Sequence, residues 1–352
     1  MIIKDIIKNR LGLEVSPGFC TFLVTWRCNA RCQMCSIWQK DDTADELSLA
    51  EIKKIFSQQK FDGVRISGGE PFLRNDISEI INIIQDESRP KVLHLTSNGL
   101  LTEKIINTVK ALEKTNNLHI KISIDALGQK HDQIRGINGA YQKAMETVKL
   151  LTELKKSKKF YLGINQTIVD SDGINDYYQL KEICDKLGIQ LHAVIAYRES
   201  AIYGNDKNLN LMPKNAVDYK FFYNFSQSEI DTILKILKQE AKSIKDFKEK
   251  IIKKYYLRGF YNRIIKKRAE PNPSCLELKN HLRINPNGDV PICLFNSTVA
   301  GNLKTQDIKE IWQSQNTKNA RKLISQCPGC WVDCEVIPNA IYTGDLIKEI
   351  WH

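Results

Sequence analysis

Short apolar runs alternate with amphipathic stretches over the first two hundred residues of this 352-residue chain. The apolar runs have the length and composition of strands, and the stretches between them carry apolar residues at helical spacing. We predict strands at 19–26, 62–67, 91–96, 119–125, 160–167 and 189–195. We predict helices near 48–58, 75–86, 102–114, 139–156 and 174–187. Six β/α repeats predict an α/β fold, a partial (β/α)6 open barrel with helices outside a parallel sheet.

The pattern changes after about residue 213. Apolar residues from Ile230 to Tyr255 recur at helical spacing with lysines on the other face, which predicts a helical insertion. Gly259 and Pro271 are expected to separate this region from the C-terminal part of the chain. Asn287-Gly288 lies between two alternating runs and predicts a β-hairpin at the start of a small cysteine-rich α+β domain.

The chain therefore divides into four segments. They are an N-terminal docking segment (1–18), the partial barrel (19–200), a basic helical segment (201–274) and the cysteine-rich domain (275–352). The first segment has helical apolar spacing; a membrane-surface anchor is the alternative to docking. It is too short and too charged for a secretory signal, and no apolar run reaches the roughly 20 residues that span a bilayer. We therefore expect a cytoplasmic protein without a transmembrane segment.

Ten cysteines fall into an N-terminal trio, a C-terminal set of five, and the isolated Cys20 and Cys184. Without an export signal, a disulfide framework is not expected. The trio Cys28, Cys32 and Cys35 follows the first predicted strand at the spacing C-x3-C-x2-C. Three thiolates on one loop can bind three irons of a [4Fe–4S] cluster and leave the fourth iron open for chemistry. A structural zinc site is the alternative that the spacing leaves open.

A second motif, Ser67-Gly68-Gly69-Glu70-Pro71, ends the second predicted strand. Two glycines let the backbone approach a ligand closely, and a glutamate carboxylate can accept hydrogen bonds from an ammonium group. Thr96-Ser97-Asn98-Gly99 follows the third strand, and Ser123-Ile124-Asp125 ends the fourth. With these motifs and the cysteine trio in this order, residues 19–200 resemble the radical S-adenosylmethionine (radical SAM) superfamily.

The resemblance implies a set of cofactor contacts. Cys28, Cys32 and Cys35 would hold a [4Fe–4S] cluster whose open iron is chelated by SAM, and Glu70 would hydrogen-bond the SAM amine. The other contacts implied are Gly68 and Gly69 along the methionyl part, Met34 and Trp38 beside the adenine, and Asn98, Ser123 and Asp125 at the ribose. One electron from the cluster would split SAM and give a 5′-deoxyadenosyl radical that abstracts a hydrogen atom from the substrate.

Two arginines follow predicted strands and are further candidates. Arg198 lies just past the sixth strand and Arg135 follows the fourth. Either could contact the SAM carboxylate or an anionic substrate at the barrel mouth. A solvated surface arginine is the alternative in each case.

The five C-terminal cysteines form a second constellation: Cys275, Cys293, Cys327, Cys330 and Cys334. Paired cysteines around a hairpin also suit a zinc ribbon. Behind a radical SAM domain, the pattern C-x12-G-x4-C followed by C-x2-C is similar to a SPASM or twitch extension, which holds auxiliary [4Fe–4S] clusters. Five cysteines fit one auxiliary cluster better than two. The family spacing favours Cys330 over Cys334 as its fourth ligand.

The leading hypothesis is a radical SAM oxidoreductase-like enzyme acting on a small polar metabolite, a glycan precursor or a peptide, anionic substrates included. The auxiliary cluster would assist oxidation or substrate binding, and flavodoxin or ferredoxin would donate electrons. Leu294 stands where sulfatase-maturing members carry an acidic residue, and the sequence ends without the Gly-Gly tail of cyclic-pterin synthases. We expect neither of those activities. A non-catalytic metal-binding protein is a further alternative.

The net charge of +11 is concentrated in one segment. Residues 235–268 hold thirteen Lys/Arg and three Asp/Glu. Such a run can bind phosphates, so an RNA-modifying radical SAM enzyme is the alternative function, although it is not favoured. The same run also fits a solvated helix face.

Overall fold

A computed structural model of the chain describes residues 2–40, 45–197, 221–244 and 246–349. The helices in these ranges are α1 (Ile2–Arg10), α2 (Leu49–Ser57), α3 (Ile77–Ile83), α4 (Thr102–Ala111), α5 (Gly128–Arg135), α6 (Ala140–Leu154), α7 (Asp172–Leu187), α8 (Gln227–Ser243), α9 (Phe247–Ile264), α10 (Ile308–Gln313), α11 (Gln315–Ser325), α12 (Asp333–Thr343) and α13 (Asp345–Glu349). The strands are β1 (Phe19–Leu23), β2 (Gly63–Ser67), β3 (Val92–Ser97), β4 (Leu118–Ser123), β5 (Tyr161–Ile168), β6 (Gln190–Ile195), β7 (His281–Ile284), β8 (Asp289–Cys293) and β9 (Asn296–Asn302).

Seven strands form one parallel sheet in the order β6-β5-β4-β3-β2-β1-β7. Strands β1 to β6 are neighbours in chain order, and the helices between them cover one face. Alternate strand residues such as Phe22, Ile66 and Leu95 pack there against helix residues such as Ile52 and Ile80. The predicted α/β open barrel is therefore confirmed, and its strand ends place the loops after β1 to β4 along one edge.

The seventh strand was not predicted as part of this sheet. β7 pairs in parallel with β1, so that Thr21 lies beside Arg283. The Asn287-Gly288 turn comes after β7, but the next strand, β8, pairs in antiparallel fashion with β9 instead. The hairpin prediction is therefore wrong by one strand. The physical reason is the polar face of β7: His281 Nε2 lies 2.9 Å from Thr21 Oγ1, a partner that only the barrel offers.

The basic segment forms two helices where the sequence suggested one long stripe. α8 ends at Ser243, and the Asp246 side chain caps α9 by accepting the Glu249 N–H at 2.8 Å. Gly259 does not break the region, because it lies inside α9 where Trp331 packs against it. A Cβ at Gly259 would lie 2.0 Å from Trp331 Cζ2. α8 packs on β6, and α9 packs on α12 and α13.

Helix α1 docks against α12. Asn9 Nδ2 donates to the Tyr342 carbonyl at 3.0 Å, and Arg10 Nε donates to the Thr343 carbonyl at 3.2 Å. These contacts support the docking interpretation of the N-terminal segment, although Ile3 and Leu11 stay exposed. Across the described ranges, no helix combines the length and apolarity needed to cross a bilayer.

Candidate active site

The cysteine loop leaves the carboxyl end of β1. Cys28, Cys32 and Cys35 are free thiols and half-buried. The loop is pinned to the end of α5, because the Arg31 N–H donates to the Arg135 carbonyl at 2.8 Å and the Gln33 N–H donates to the Ile134 carbonyl at 3.0 Å. These two hydrogen bonds give the trio a defined place above the sheet.

At two thiols of the trio, the backbone N–H of the residue two positions later acts to lower the thiol pKa. Burial raises the pKa of Cys28 to about 12, and the N–H of Ala30 partly offsets that rise. Burial raises the pKa of Cys35 to about 11, and the N–H of Ile37 opposes that shift in the same way. Backbone N–H groups aimed at sulfur stabilise thiolates, and a bound metal would supply the remaining positive charge.

The Gly-Gly-Glu motif is fastened to the start of the cysteine loop. The Gly69 N–H donates to the Thr25 carbonyl and the Glu70 N–H to the Arg27 carbonyl, both at 2.8 Å. A Cβ at Gly69 would lie 1.9 Å from the Arg27 oxygen, and one at Gly68 would lie 2.4 Å from the Thr25 oxygen. Only glycine allows this approach, so the motif sets the position of the cysteine loop as well as offering backbone to a ligand.

The Glu70 carboxylate lies at the junction of the β2 and β3 ends. It is 1% exposed and accepts hydrogen bonds from Ser97 Oγ at 2.8 Å, the Asn98 N–H at 2.7 Å and the Phe72 N–H at 3.2 Å. Burial raises the pKa of Glu70 to about 7, and these three donors act against the rise. A carboxylate has about four acceptor positions, which leaves one for an ammonium group.

The three residues expected at the ribose are held in different ways. Asn98 Nδ2 donates to Asn29 Oδ1 at 2.7 Å, which ties the β3 end to the cysteine loop. Ser123 is buried at the last position of β4. Asp125 is committed to protein partners: Arg135 Nε lies 2.7 Å from Oδ2, while Arg135 Nη2 and the Thr167 N–H each donate to Oδ1 at 2.9 Å. The geometry gives Asp125 a structural task beside the site.

The remaining sequence candidates frame the loop. Trp38 Nε1 donates to the Cys35 carbonyl at 2.8 Å, so the indole braces the third cysteine. Met34 packs on a small apolar cluster with Ala126 and Val169. Arg198 lies outside the described residues.

Arg135 is the residue that sequence reasoning undervalued. The surface alternative is wrong, because Arg135 is 9% exposed and its Nη1 lies 3.5 Å from Cys32 Sγ. Helix α5, which carries Arg135, was itself not predicted, since its sequence has few apolar residues. The Ile134-Arg135-Gly136 turn was the available signal: Gly136 has φ +64, and a Cβ there would lie 2.7 Å from the Arg31 oxygen.

Four of the five C-terminal cysteines line one cavity. They are Cys275, Cys293, Cys327 and Cys330, and Glu277 and Glu335 complete the polar part of the wall. Burial raises the pKa of each thiol, and in each case the N–H two residues later opposes the rise. The donors are Glu277, Phe295, Gly329 and Val332. This is the same turn as at Cys28 and Cys35.

Cys334 has different surroundings. It packs on an apolar cluster of Leu23, Ile37 and Val332 that also borders Cys28 and Cys35. Burial raises its pKa, and the neighbouring Glu335 and Asp333 carboxylates add to the rise. The sulfur therefore lies between the two cysteine sets rather than in the cavity wall.

A buried ionic cluster joins the cavity to the barrel. His281 Nδ1 lies 2.6 Å from Glu277 Oε1, and Arg283 pairs with Glu335. These four side chains are at most 3% exposed. In the described part of the chain, Glu277, His281 and Glu335 bring ligand atoms close enough to hold a metal ion. The Arg283 guanidinium already supplies positive charge there, so the cluster serves as an internal ion network.

Comparisons with known proteins match both halves of this arrangement. The model of the radical SAM superfamily matches residues 22–172, and the model of the SPASM iron–sulfur cluster-binding domain matches residues 275–335. The chain belongs to the radical SAM superfamily. Radical SAM enzymes use SAM and a [4Fe–4S] cluster, and SPASM domains bind auxiliary clusters. The iron–sulfur predictions are therefore confirmed over zinc and over a non-catalytic protein.

This radical SAM protein aligns with some relatives over most of their length and with others over about half of it. A GTP 3′,8-cyclase of Aquifex aeolicus is 24% identical over 84% of this chain and 88% of its own length. A probable GTP 3′,8-cyclase of Methanococcus maripaludis is 33% identical over 53% of this chain and 61% of its own. The subtilosin biosynthesis protein AlbA of Bacillus subtilis is 23% identical over 61% of this chain, which corresponds to less than half (46%) of AlbA.

Solved structures confirm the fold over nearly the whole chain. Streptococcus suis SuiB superposes with a TM-score of 0.61 at 14% identity, over 91% of this chain and 71% of SuiB. The structure of anSMEcpe with bound AdoMet has a TM-score of 0.56 at 15% identity, over 95% and 96% of the two chains. At sequence identities this low, the superpositions establish only that the fold is shared.

The basic segment is less available to a polyanion than its composition suggests. Arg263 is buried over the Trp331 ring at 3.9 Å. Lys253 pairs with Glu240 at 2.8 Å, and Arg258 pairs with Glu349 at 2.6 Å. Three of the thirteen cations thus serve internal contacts.

Proposed function

We propose that this radical SAM enzyme generates a 5′-deoxyadenosyl radical at the Cys28, Cys32 and Cys35 loop and oxidises or cross-links a small polar metabolite, a glycan precursor or a peptide. One auxiliary [4Fe–4S] cluster, on Cys275, Cys293, Cys327 and Cys330, assists oxidation or substrate binding. An electron donor such as flavodoxin or ferredoxin, in a reducing cytoplasm, suits a chain in which none of the ten cysteines forms a disulfide.

The observation that carries the proposal is the shared turn at the cysteines. At six thiols, in two groups, the N–H of the residue two positions later acts to lower the thiol pKa, and at Cys293 the Phe295 N–H donates to the sulfur at 3.3 Å. Hydrogen bonds to sulfur are among the features that tune iron–sulfur clusters. Both sets of residues therefore fit such clusters as ligands.

The chain's own residues prepare the first site for SAM. When bound there, the cluster and SAM supply the radical that removes a hydrogen atom from the substrate. Gly68 and Gly69 keep the loop backbone within reach of the methionyl group, and Glu70 holds its last acceptor position toward the amine. The 1% exposure of Glu70 keeps water from that position and strengthens the contact.

An apolar layer packs between the cysteine loop and the start of α12. Leu23, Ile37, Leu294 and Val332 are each at most 5% exposed, and Cys28, Cys35 and Cys334 border them. The layer excludes water between the loop and the auxiliary cavity, which protects a reactive intermediate from side reactions. It also makes Cys334 the thiol that a substrate between the sites would meet.

The relatives name several substrate classes without choosing among them. SuiB has been solved with its precursor peptide SuiA, and other relatives are cyclases of GTP. We keep a peptide as one of the three substrate classes here. The RNA-modifying alternative gains no support from the internal pairing of Arg263, Lys253 and Arg258.

Anaerobic reconstitution tests the proposal. We expect about eight irons per chain, as two four-iron clusters require, and 5′-deoxyadenosine on reduction with SAM. Cys28→Ala should abolish 5′-deoxyadenosine formation, whereas Cys184→Ala, at a buried core cysteine, should keep it. Formation that persists in Cys28→Ala would contradict the site.

A further inference from the structure

The inner face of the sheet, opposite the helices, is unusually polar. Its strand residues are half-buried and include Arg65, His94, His119, Lys121, Tyr161 and His192. The parallel register places Arg65 beside His94, His94 beside His119, and His119 beside Tyr161. The interior of a closed eight-stranded barrel is filled with branched apolar side chains. A polar row in their place indicates a space that receives a polar molecule.

The two cations of this row lie directly below the candidate SAM site. Lys121 precedes Ser123 by two residues on β4, and Arg65 precedes Ser67 by two residues on β2. Residues two apart on a strand point the same way and are about 6.6 Å apart. Both cations therefore lie one layer inside the strand ends that carry the cofactor motifs.

The basic segment and the SPASM domain wall this space. Glu240 of α8 and Lys253 of α9 meet at 2.8 Å, and the Ala193 N–H of β6 donates to Glu240 at 3.3 Å. From the other side, the start of α12 reaches Arg65, whose Nη1 donates to the Cys334 carbonyl at 3.4 Å. The auxiliary region thus borders the same space.

Neither cation has a carboxylate of the described residues in direct contact. In the described ranges, the Lys121 side chain forms no hydrogen bond or ion pair. Arg65 contacts the Phe19 ring at 5.3 Å and a carbonyl, but no carboxylate of the described residues. Two carboxylates act on Lys121 through space without a direct ion pair. Glu240 is paired with Lys253, and Asp333 Oδ1 accepts the Cys334 N–H at 2.8 Å.

The remaining titratable groups near Lys121 are Glu249 and three histidines. Glu249 acts on Lys121 through space without a direct ion pair, and burial raises the pKa of Glu249. Burial and, to a lesser extent, the Lys121 charge lower the pKa of His119 to about 4. Burial also holds the pKa values of His94 and His192 well below the usual range. All three histidines are therefore neutral near pH 7. A cation without a directly bound counter-ion in a partly desolvated space is stabilised when an anionic ligand pairs with it.

We propose that Lys121 and Arg65 bind an anionic oxygen group of the substrate, a carboxylate or a phosphate. The proposal rests on the proposed function, because it places the substrate beneath the SAM site. The neutral imidazoles of His94 and His119 supply further hydrogen-bond donors to the same molecule. The substrate class is thereby narrowed to acids and phosphorylated metabolites or peptides with an acidic group near the reacting carbon.

Calorimetric titration of the reconstituted, SAM-bound enzyme with succinate and with inorganic phosphate tests this site. We expect saturable binding of at least one probe, one per chain, weakened at least about tenfold in Lys121→Met and in Arg65→Gln. Lys242→Met, at an exposed position of α8 with the same charge change, should bind as the wild type does. Preference for phosphate or for succinate identifies the anionic group.

Two outcomes would overturn the site. One is the absence of saturable binding for both probes in the wild type, and the other is unchanged binding in Lys121→Met. Urea unfolding provides the folding control: Lys121→Met should be at least as stable as the wild type, because an unpaired ammonium is removed. Marked destabilisation would reveal a structural partner and contradict the proposal. The proposed function is tested by a different measurement: if it is wrong, the wild-type enzyme will form no 5′-deoxyadenosine.

Discussion

Arg135 binds Asp125 through two nitrogens, with Nε 2.7 Å from Oδ2 and Nη2 2.9 Å from Oδ1. The same guanidinium places Nη1 3.5 Å from Cys32 Sγ. One buried side chain thus links the end of β4, the end of α5 and the second cysteine of the loop. A two-point pair fixes the guanidinium plane, and with it the direction from which the N–H approaches the sulfur.

Replacing Arg135 by Gln should destabilise the protein strongly. Asp125 would remain as a buried carboxylate without its counter-ion, and loss of one partner of a buried pair costs about 3–5 kcal/mol. Urea unfolding of the metal-free protein measures this. As a matched control, Lys156→Gln breaks the exposed pair with Glu153, and about 0.5 kcal/mol or less is expected there. Equal effects at the two positions would show that Arg135 is not buried in this pair.

Acid should weaken the fold through His131. Its Nδ1 accepts the Asp125 N–H at 3.0 Å, and burial, ahead of the opposing Asp125 charge, lowers its pKa to about 4. Since the folded pKa lies below the unfolded value near 6.5, the unfolded state binds more protons between pH 4 and 6.5. Stability from this residue is therefore present above pH 6.5 and lost as the pH falls toward 4.

His131→Asn keeps an acceptor for the Asp125 N–H but cannot titrate. Between pH 6.5 and pH 5, the wild type should lose about 2 kcal/mol more unfolding free energy than the variant. Urea unfolding at the two pH values measures the difference. Parallel losses in the two proteins would mean that His131 titrates normally in the folded state.

Local patterns predicted much of this architecture, while long-range pairing limited the rest. Alternation of apolar residues was sufficient for β1 to β6, because each strand pairs with the next in the chain. β7 pairs with β1 across more than 250 residues, and a four-residue strand in which His281 and Arg283 alternate with apolar residues carries no signal for that partner. Likewise, Gly259 suggests a break until Trp331 is known to pack against it.

In the site, too, local motifs could be predicted and long-range contacts could not. The sequence alone was enough to recognise the cysteine trio Cys28, Cys32 and Cys35 and the Gly-Gly-Glu motif, because each motif is contiguous in the chain. The roles of Arg135 and Asp125 were not, because they depend on where α5 turns back onto the loop. Whether Cys330 or Cys334 faces the auxiliary cavity could not be decided from spacing alone; it depends on the direction in which α12 starts.

Substitution of Gly69 by Ala should displace the cysteine loop. The new Cβ would lie 1.9 Å from the Arg27 oxygen, so the two loops would have to separate. We expect destabilisation of about 3 kcal/mol or more and loss of iron at the first site after reconstitution. Gly188→Ala is the control, because a Cβ there meets nothing within 4 Å and adds only the strain of φ +64, about 1–2 kcal/mol. Full iron content in Gly69→Ala would show that the loops can part without consequence for the site.

Serine variants of Cys330 and Cys334 test which of the two cysteines is a ligand of the auxiliary cluster and which faces the substrate. Cys330 lines the auxiliary cavity, and the Val332 N–H acts to lower its pKa, whereas Cys334 packs toward Cys28 and Cys35. Cys330→Ser should therefore lose up to about four irons per chain on reconstitution, while Cys334→Ser should keep about eight. Iron analysis with electron paramagnetic resonance of the reduced protein distinguishes the two clusters. If Cys334→Ser lost the auxiliary signal and Cys330→Ser kept it, the start of α12 would have to rotate on cluster binding, and the assignment of Cys330 would fail.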